Sequence, residues 1–177
     1  MTTEELMELM EERALGYRFL ARAFRTAPDP TFIEAVMSAS EANADGPLAP
    51  FYSETDGADR EQLRIDLAAD YNQLFLGMSA HPVAPYESVY TSEEGLMMQD
   101  ARDNVLHTYQ QWGLRVPDEF DLPEDHITLE FDLMVCLADR TRATLEADED
   151  AASRTEEGDV CSASELIAAQ RAFLDEH

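Results

Sequence analysis

The sequence predicts an all-α fold, a single bundle of about six helices without any sheet. Apolar residues recur at helical intervals in almost every segment, and the alternation that marks a half-buried strand is nearly absent. The chain has 177 residues, 45% of them hydrophobic, which is enough to fill one core without disulfide support. We therefore expect one domain over residues 1–177, with a hinge loop at about 113–122 and an acidic linker at about 146–158.

The first two helices are predicted from their start signals. Thr2 and Glu5 have the spacing of a capping box, and helical periodicity continues from there to Thr26. Asp29 and Pro30 suit an N-cap followed by proline at the first helical position. A second helix of about ten residues is therefore expected to begin at this point.

The third predicted helix is the one that we expect to be central. It follows a polar loop that ends near Gly57, and it extends from Arg60 to Leu76. Its apolar stripe consists of Leu63, Leu67, Tyr71 and Leu74, widened by Ile65, Phe75 and Leu76. Prolines and a glycine then break the helical period, so Gly77–Tyr90 is predicted to be a loop.

Three further helices are expected in the second half of the chain. Thr91 and Glu94 repeat the capping-box spacing before a helix that ends at Trp112–Gly113. Its apolar face is predicted to consist of Met97, Ala101, Val105 and Tyr109. The next helix is expected to begin at Pro123, and the last follows a capping box at Ser162 and Glu165.

The charge of the chain is strongly negative. It carries 38 acidic and 12 basic residues, and the net charge is -26. Nucleic acid is therefore a poor partner, because a phosphate backbone requires a cationic surface. We interpret the charge as a halophilic adaptation to near-molar salt, where the Debye length is roughly 3 Å and self-repulsion is screened. An acidic face that attracts an arginine-rich partner is the alternative, although the carboxylates are spread along the whole chain.

Several features predict a cytoplasmic protein. The two cysteines, Cys136 and Cys161, are too few for a disulfide framework. No stretch reaches the roughly 20 apolar residues of a membrane span, and the N-terminus lacks the basic and apolar regions of a signal peptide. We therefore expect no membrane insertion.

Three motifs occur in a characteristic order. They are LAADYNQLFLG, PYESVYTSEEGLM and LPEDHITLEFDLM, which together cover roughly Leu67–Leu137. In this order and at these separations they resemble the TorD/DmsD/NarJ family of redox-enzyme maturation chaperones. Position 121 departs from the family pattern, since aspartate replaces the first glutamate of the Glu-x-Pro-x-Asp-His hinge.

The resemblance implies a non-catalytic cytoplasmic chaperone that needs no cofactor of its own. Such a protein binds the twin-arginine signal peptide, the apo form, or both, of a molybdopterin oxidoreductase subunit used in anaerobic respiration. The client would be a dimethyl sulfoxide, trimethylamine oxide or nitrate reductase, and the chaperone would assist cofactor insertion and proofreading before export. The alternative is a helical adaptor that binds a partner helix unrelated to export.

The resemblance also implies a set of peptide-binding residues. These are Tyr71, Leu74, Phe75, Pro85, Tyr86, Glu87, Asp125 and His126. Because arginine binds carboxylates through a bidentate fork, Asp125 is the first candidate partner of the arginine pair and Glu87 the second. A single groove requires Tyr86 and His126 to lie within roughly 20 to 24 Å. Replacement of Asp125 by alanine is expected to weaken binding and to leave the fold nearly intact.

Each candidate residue also has a structural interpretation. Tyr71, Leu74 and Phe75 follow the spacing of a helix core. Asp125 is an acid that would be favoured in the first turn of a helix, and His126 would be a satisfied polar residue at the same helix start. The order of the surrounding motifs favours the functional interpretation.

Enzyme classes find little support in the sequence. Ser88, His126 and Asp125 can be combined into a triad only without the Gly-x-Ser-x-Gly elbow that exposes a nucleophile. The potential metal ligands lack paired spacing; they are His81, His107, His126, Cys136 and Cys161. The chain has no lysine, which excludes a Walker-type nucleotide loop. A monomer is expected, although the hinge would allow two copies to exchange their last helices.

Overall fold

The computed structural model describes residues 1–43, 45–118, 120–151 and 162–177. These ranges contain eight helices and no β-strand, so the predicted all-α class is confirmed. In chain order the helices are α1 (Thr3–Arg25), α2 (Pro30–Ala42), α3 (Ala49–Thr55), α4 (Arg60–Phe75), α5 (Ser88–Thr91), α6 (Asp100–Gln111), α7 (Ile127–Ala151) and α8 (Ala163–Glu176). The two short helices, α3 and α5, lie where the sequence predicts only loop.

The chain groups into two compact units. The first unit comprises Met1–Phe24 and Pro85–His177, and the second comprises Arg25–Ala84. The first unit therefore contains α1 and α5 to α8, whereas the second contains α2 to α4. The single domain that the sequence suggests stays a prediction, and each unit is described by itself.

The core of the first unit is built mainly from α6, α7 and α8. Its buried residues are Val105, Tyr109, Phe120, Leu129, Leu133, Met134, Leu137, Leu166 and Phe173. Each large apolar side chain contributes roughly 1.5 to 3 kcal/mol when it is fully buried. The hydroxyl of Tyr109 donates a hydrogen bond to the carbonyl of Leu129 at 2.7 Å, so its polar atom is satisfied inside the core.

Helix α1 is attached to α7 by contacts at two levels. Met10 and Ala14 pack with Ala138 in a second buried cluster. The Thr128 hydroxyl donates to the carbonyl of Ala21 at 3.2 Å. Because these contacts lie at separate positions along α1, they fix the helix against α7.

Local capping signals predict three helix starts correctly. The Thr2 side chain accepts from the Glu5 amide at 3.1 Å, and the Glu5 carboxylate accepts from the Thr2 amide at 2.7 Å. The Asp29 side chain accepts from Phe32 at 2.8 Å, and Ser162 forms the same reciprocal pair as Thr2. Each such cap contributes roughly 1 kcal/mol and is decided by residues close in sequence.

The prediction that α4 is central is wrong. Of its residues only Tyr71 is buried, whereas Leu74 is 49% and Ile65 46% exposed. Helix α4 lies in the smaller unit and packs there on α2. This contact is too narrow to cover an apolar stripe of seven positions.

Two predicted helix starts are also wrong. Thr91 is the last residue of α5 rather than a cap, and α6 begins after its N-cap Gln99. Met97 consequently lies outside the helix and is exposed, whereas the other three residues of the predicted face are buried. Pro123 does not open α7; it begins a turn in which the His126 amide donates to the Pro123 carbonyl at 3.0 Å.

The prediction of an acidic linker at about 146–158 is wrong in part. Helix α7 continues through Glu146 to Ala151, because alanine and glutamate are strong helix formers. The remainder of the predicted linker, 152–158, lies outside the described residues. No helix within the described ranges is both long and apolar enough to cross a lipid bilayer.

Candidate functional site

The loop Pro85–Ser88 lies against the chain that leads into α7. The Glu87 amide donates to the carbonyl of Asp125 at 3.1 Å, and the Ile127 amide donates to the carbonyl of Pro85 at 3.0 Å. These two bonds form an isolated antiparallel bridge whose central residues are Tyr86 and His126. The proline-containing loop and the Asp-His pair therefore meet in one place.

The aromatic rings at this junction are in direct contact. Tyr86 and His126 have ring centroids 5.0 Å apart and nearly perpendicular planes, so the predicted proximity of these two residues is confirmed. The ring centroid of Phe120 lies 6.3 Å from that of His126. His126 is buried, and its Nδ1 accepts a hydrogen bond from the Thr128 amide at 3.1 Å. The ring is thus fixed by packing and by a main-chain bond.

Asp125 has a structural task that the sequence does not predict. It is fully buried, and its Oδ2 accepts from the Ser88 amide at 3.1 Å. Ser88 is buried as well, and its hydroxyl accepts from the Gln99 amide at 3.0 Å. Through these bonds one carboxylate holds the starts of α5 and α6. The expectation that alanine at position 125 leaves the fold nearly intact is therefore abandoned.

The same contacts bear on the hypothetical serine triad. The Ser88 hydroxyl is closed to solvent and already accepts from Gln99. The Asp125 carboxylate accepts from the Ser88 amide, and the His126 Nδ1 accepts a hydrogen bond from the Thr128 amide rather than donating one to an acid. An activated serine requires the opposite arrangement, with an exposed hydroxyl and an imidazole that donates to the carboxylate.

Glu87, Asp125 and Glu130 form a group of acids that we call the carboxylate cluster. Burial raises the pKa of Glu130 to about 8, and the charges of Glu87 and Asp125 add to this effect. One oxygen of Asp125 and one of Glu130 are buried without a hydrogen-bond partner in the described part of the chain. Glu130 therefore keeps its proton up to about pH 8, and two buried oxygens of the cluster lack a hydrogen-bond partner among the described residues.

One nitrogen-bearing ring already contacts the cluster. His177 Nδ1 lies 2.6 Å from Glu87 Oε2, and the His177 side chain is only 4% exposed. Its ring stacks on Phe173 of α8 with centroids 4.3 Å apart. Glu87, at 15%, retains the greater side-chain exposure of this pair.

A bidentate ion pair stands beside the cluster. Arg102 of α6 reaches both carboxylate oxygens of Glu124, with nitrogen–oxygen distances of 2.5 and 3.1 Å. The hydrogen bonds from Arg102 hold the pKa of Glu124 below its usual range. The fork links α6 to the turn before α7 and illustrates how a guanidinium fits a carboxylate in this unit.

Glu124→Gln is expected to lower the free energy of unfolding by about 1 to 2 kcal/mol at pH 7. The native pKa of Glu124 is depressed, so its contribution is present above the ordinary carboxyl pKa of about 4.3 and is lost as the pH falls through the lower native value. Urea unfolding at pH 7 and at pH 3 measures both effects.

The solvent-exposed pair of Arg64 and Glu61 provides the control for this prediction. Arg64→Gln should change the stability much less, because water already solvates both partners. A difference between Glu124→Gln and wild type that is equally large at pH 3 would contradict the assigned role of the ion pair.

The candidates from α4 belong to the second unit. Tyr71 is buried and its ring contacts Phe75 with centroids 5.1 Å apart. Leu74 is about half exposed, and its carbonyl accepts from the Val83 amide at 2.7 Å. Tyr71 therefore serves the local core, whereas Leu74 faces solvent at the end of the helix.

Comparison with known proteins assigns the family. The family model described as "Nitrate reductase delta subunit" matches residues 37–177 of this chain. The chain belongs to this family. The resemblance to TorD/DmsD/NarJ proteins that the motif order predicts is thereby confirmed. The matched range includes every candidate peptide-binding residue of both units.

Individual relatives of the delta subunit family carry a chaperone name. The chain is 35% identical over 75 residues to the chaperone protein TorD of Photobacterium profundum. This match covers 42% of this chain and 35% of the relative. It is 38% identical over 71 residues to the chaperone protein TorD of Ferrimonas balearica. This match covers 40% of this chain and 33% of the relative. These matches thus span about a third of the length of the relatives. No solved structure matches the chain significantly.

The family motifs identify the Pro85–Ser88 loop and the Asp125-His126 pair as site residues. They do not identify Glu130 or His177. Glu130 did leave a signal, because its neighbours on the helix at i-4, i+3 and i+4 are His126, Leu133 and Met134, which are all buried. An acid among such positions indicates a carboxyl group whose pKa is shifted by burial. His177 left no comparable signal, since its contact with Glu87 depends on how α8 packs.

No group of His, Cys, Asp or Glu within the described ranges is arranged to hold a metal ion. Cys136 is a free, partly buried thiol whose pKa is raised by burial. A raised pKa favours the protonated thiol, which is a poor metal ligand and a poor nucleophile.

Proposed function

We propose that this protein is a cytoplasmic maturation chaperone, without catalytic activity, that binds the twin-arginine signal peptide of a molybdopterin oxidoreductase subunit. Family membership and the chaperone name of its relatives support the general assignment. The proposed client is an apo reductase of the dimethyl sulfoxide, trimethylamine oxide or nitrate type. Binding would delay its export until the cofactor is inserted.

The observation that carries the peptide proposal is the carboxylate cluster. Three acids lie close enough for two of them to raise the pKa of the third, and two of their buried oxygens have no hydrogen-bond partner among the described residues. A guanidinium supplies five donors and a positive charge, so it satisfies both deficits at once. No cofactor is needed for this task.

The candidate residues have different proposed roles. Glu87 makes the first contact, because it is the more exposed member of its pair with His177. The incoming guanidinium replaces the His177 ring on Glu87. Asp125 is buried, and it holds the loop while adding negative charge to the cluster.

The other candidates of the first unit form the surroundings of this contact. Pro85 and Tyr86 provide the partly buried edge of the loop, and the His126 ring packs against the Tyr86 ring. Within the second unit, taken by itself, Leu74 offers an exposed apolar side chain to a peptide, and the contact between Tyr71 and Phe75 orders the end of α4.

Calorimetry with synthetic signal peptides tests the proposal. A peptide with the arginine pair is expected to bind wild type at least tenfold more tightly than one in which both arginines are glutamine, a difference of about 1.4 kcal/mol. Glu87→Gln should remove most of this preference. Glu4→Gln is the matched control, because it changes the net charge equally at an exposed position of α1.

Salt and peptide sequence separate the proposal from its alternative. Near-molar salt reduces the Debye length to roughly 3 Å, yet binding should persist, because partly buried pairs and apolar contacts are screened little. Equal affinities for the arginine and glutamine peptides would instead favour a helical adaptor that recognises only an apolar partner helix.

A further inference from the structure

Four large apolar side chains are exposed on one segment of the first unit. Tyr90, Leu96, Met97 and Met98 are between 49% and 65% accessible to solvent, and we call them the methionine patch. Single exposed apolar residues are common, but several on one short segment mark an interaction site. Periodicity predicts Met97 on the apolar face of a helix, so its exposure outside any helix differs from that prediction.

The backbone holds the patch in a fixed conformation. The Leu96 amide donates to the Ser92 hydroxyl at 3.2 Å, and the Gly95 amide donates to the Ser92 carbonyl at 3.3 Å. Met98 has a φ of 60°, a left-handed backbone conformation that residues other than glycine rarely adopt. Such strain persists only where the surrounding structure imposes it, and it is concentrated at functional sites.

The patch is connected to the carboxylate cluster through Ser88. The Ser88 amide donates to Asp125, and its hydroxyl accepts from Gln99, the residue that follows Met98. The patch therefore begins two residues after the buried serine and ends one residue before the amide that the serine binds. A single ligand that contacts both the loop and the patch is compatible with this arrangement.

The border of the patch is acidic. A cavity of about 310 Å³ beside it is lined in part by Glu93, Glu94 and Asp100. A second copy of the chain would bring two such borders together and be repelled, and the headgroups of an anionic membrane would be repelled in the same way. An apolar peptide segment next to cationic residues satisfies both the patch and its border.

We propose that the methionine patch is the docking surface for the apolar segment that follows the cationic residues of the client's signal peptide. This proposal rests on the proposed function. Methionine suits the task, because its flexible and polarisable side chain packs against varied apolar sequences. The cationic end of the peptide would then lie at the carboxylate cluster.

Methionine oxidation provides a direct footprint. Dilute hydrogen peroxide converts exposed methionine to its sulfoxide, which mass spectrometry detects residue by residue. A bound arginine-pair peptide is expected to slow oxidation of Met97 and Met98 at least fivefold. Met1, which is 82% exposed, serves as the internal reference and should oxidise at an unchanged rate.

Substitutions test the same surface by affinity. The double variant Met97→Ser with Met98→Ser is expected to bind the peptide at least tenfold more weakly, while its preference for arginine over glutamine peptides remains. Met97→Leu with Met98→Leu should retain affinity. Leu15→Ser on α1 is the matched control, since Leu15 is 58% exposed on another element of the same unit. Equal melting temperatures verify that each variant is folded.

Two classes of outcome would overturn the docking proposal. If the peptide binds but Met97 and Met98 oxidise as before, or if the double serine variant binds like wild type, the patch is not the site and the proposed function still stands. Protection of Met78 in the second unit alone would have the same meaning. If wild type binds no twin-arginine peptide, the proposed function fails, and the docking surface fails with it.

Discussion

Asp125→Ala is expected to lower the free energy of unfolding by about 2 to 3 kcal/mol, and to weaken peptide binding as well. The fully buried carboxylate accepts from the Ser88 amide. Alanine leaves that amide buried without a partner, and Ser88 is the residue through which Gln99 is held. The loss should therefore reach both the Pro85–Ser88 loop and the start of α6.

Asp125→Asn is the informative companion of this variant. Its carbonyl oxygen still accepts from Ser88, and the change removes a charge that raises the pKa of Glu130. We expect asparagine to cost much less stability than alanine. Urea unfolding at pH 7 compares the two, and calorimetry with the arginine-pair peptide measures binding. A stability of Asp125→Ala within about 0.5 kcal/mol of wild type would contradict the structural role of the carboxylate.

Sequence reasoning succeeds where a few neighbouring residues decide the structure. The starts of α1, α2 and α8 are predicted because Thr2, Asp29 and Ser162 cap helices through bonds to residues three positions ahead. The start of α7 is missed because a distant residue decides it. Ile127, not Pro123, begins the helix, since its amide bonds to the Pro85 carbonyl in a loop far away in sequence.

Periodicity identifies α4 but not its surroundings. The spacing of Leu63, Leu67, Tyr71 and Leu74 indicates a helix correctly, yet it contains no information about how much partner surface is available. Among the described helices of the second unit, α2 makes the main contact with α4, and Leu74 remains exposed. Burial is a property of the packed unit, and a one-dimensional pattern gives only an upper bound on it.

The candidate site shows the same division. The proximity of Tyr86 and His126 is predicted correctly, because both loops interrupt apolar helices whose faces must meet in one core. The burial of Asp125 is missed, since an acid in a predicted first helical turn is expected to face solvent. Glu130 is missed because it is a single acid within an apolar run, and no motif or spacing marks it as a site residue.

Glu130→Gln is expected to stabilise the protein by about 3 to 5 kcal/mol at pH 8. The native pKa of Glu130 is about 8, whereas an unfolded glutamate titrates near 4.3. Between these values the native state holds a proton that the unfolded state has released. The contribution of Glu130 is therefore fully present below about pH 4.3 and is lost as the pH rises toward 8, by about 1.4 kcal/mol per unit.

Denaturant unfolding at several pH values measures this prediction. Glutamine has the shape of the protonated acid and does not titrate, so the advantage of the variant should grow from pH 5 to pH 8 and level off above it. Glu4→Gln, at an exposed position, controls for the change in net charge. A difference between Glu130→Gln and wild type that does not depend on pH would show that the native pKa is not raised.

Peptide binding should reveal the same proton. A guanidinium beside Glu87 and Asp125 offsets the two charges that raise the pKa of Glu130, so that pKa falls and a proton is released when the peptide binds. Calorimetry at pH 7.5 in two buffers with different ionisation enthalpies is expected to detect up to one proton released per peptide by wild type, and none by Glu130→Gln. Because burial would remain the larger cause of the raised pKa, the release should be partial. Equal proton release by the two proteins would place the arginine pair away from the carboxylate cluster, even if the peptide binds tightly.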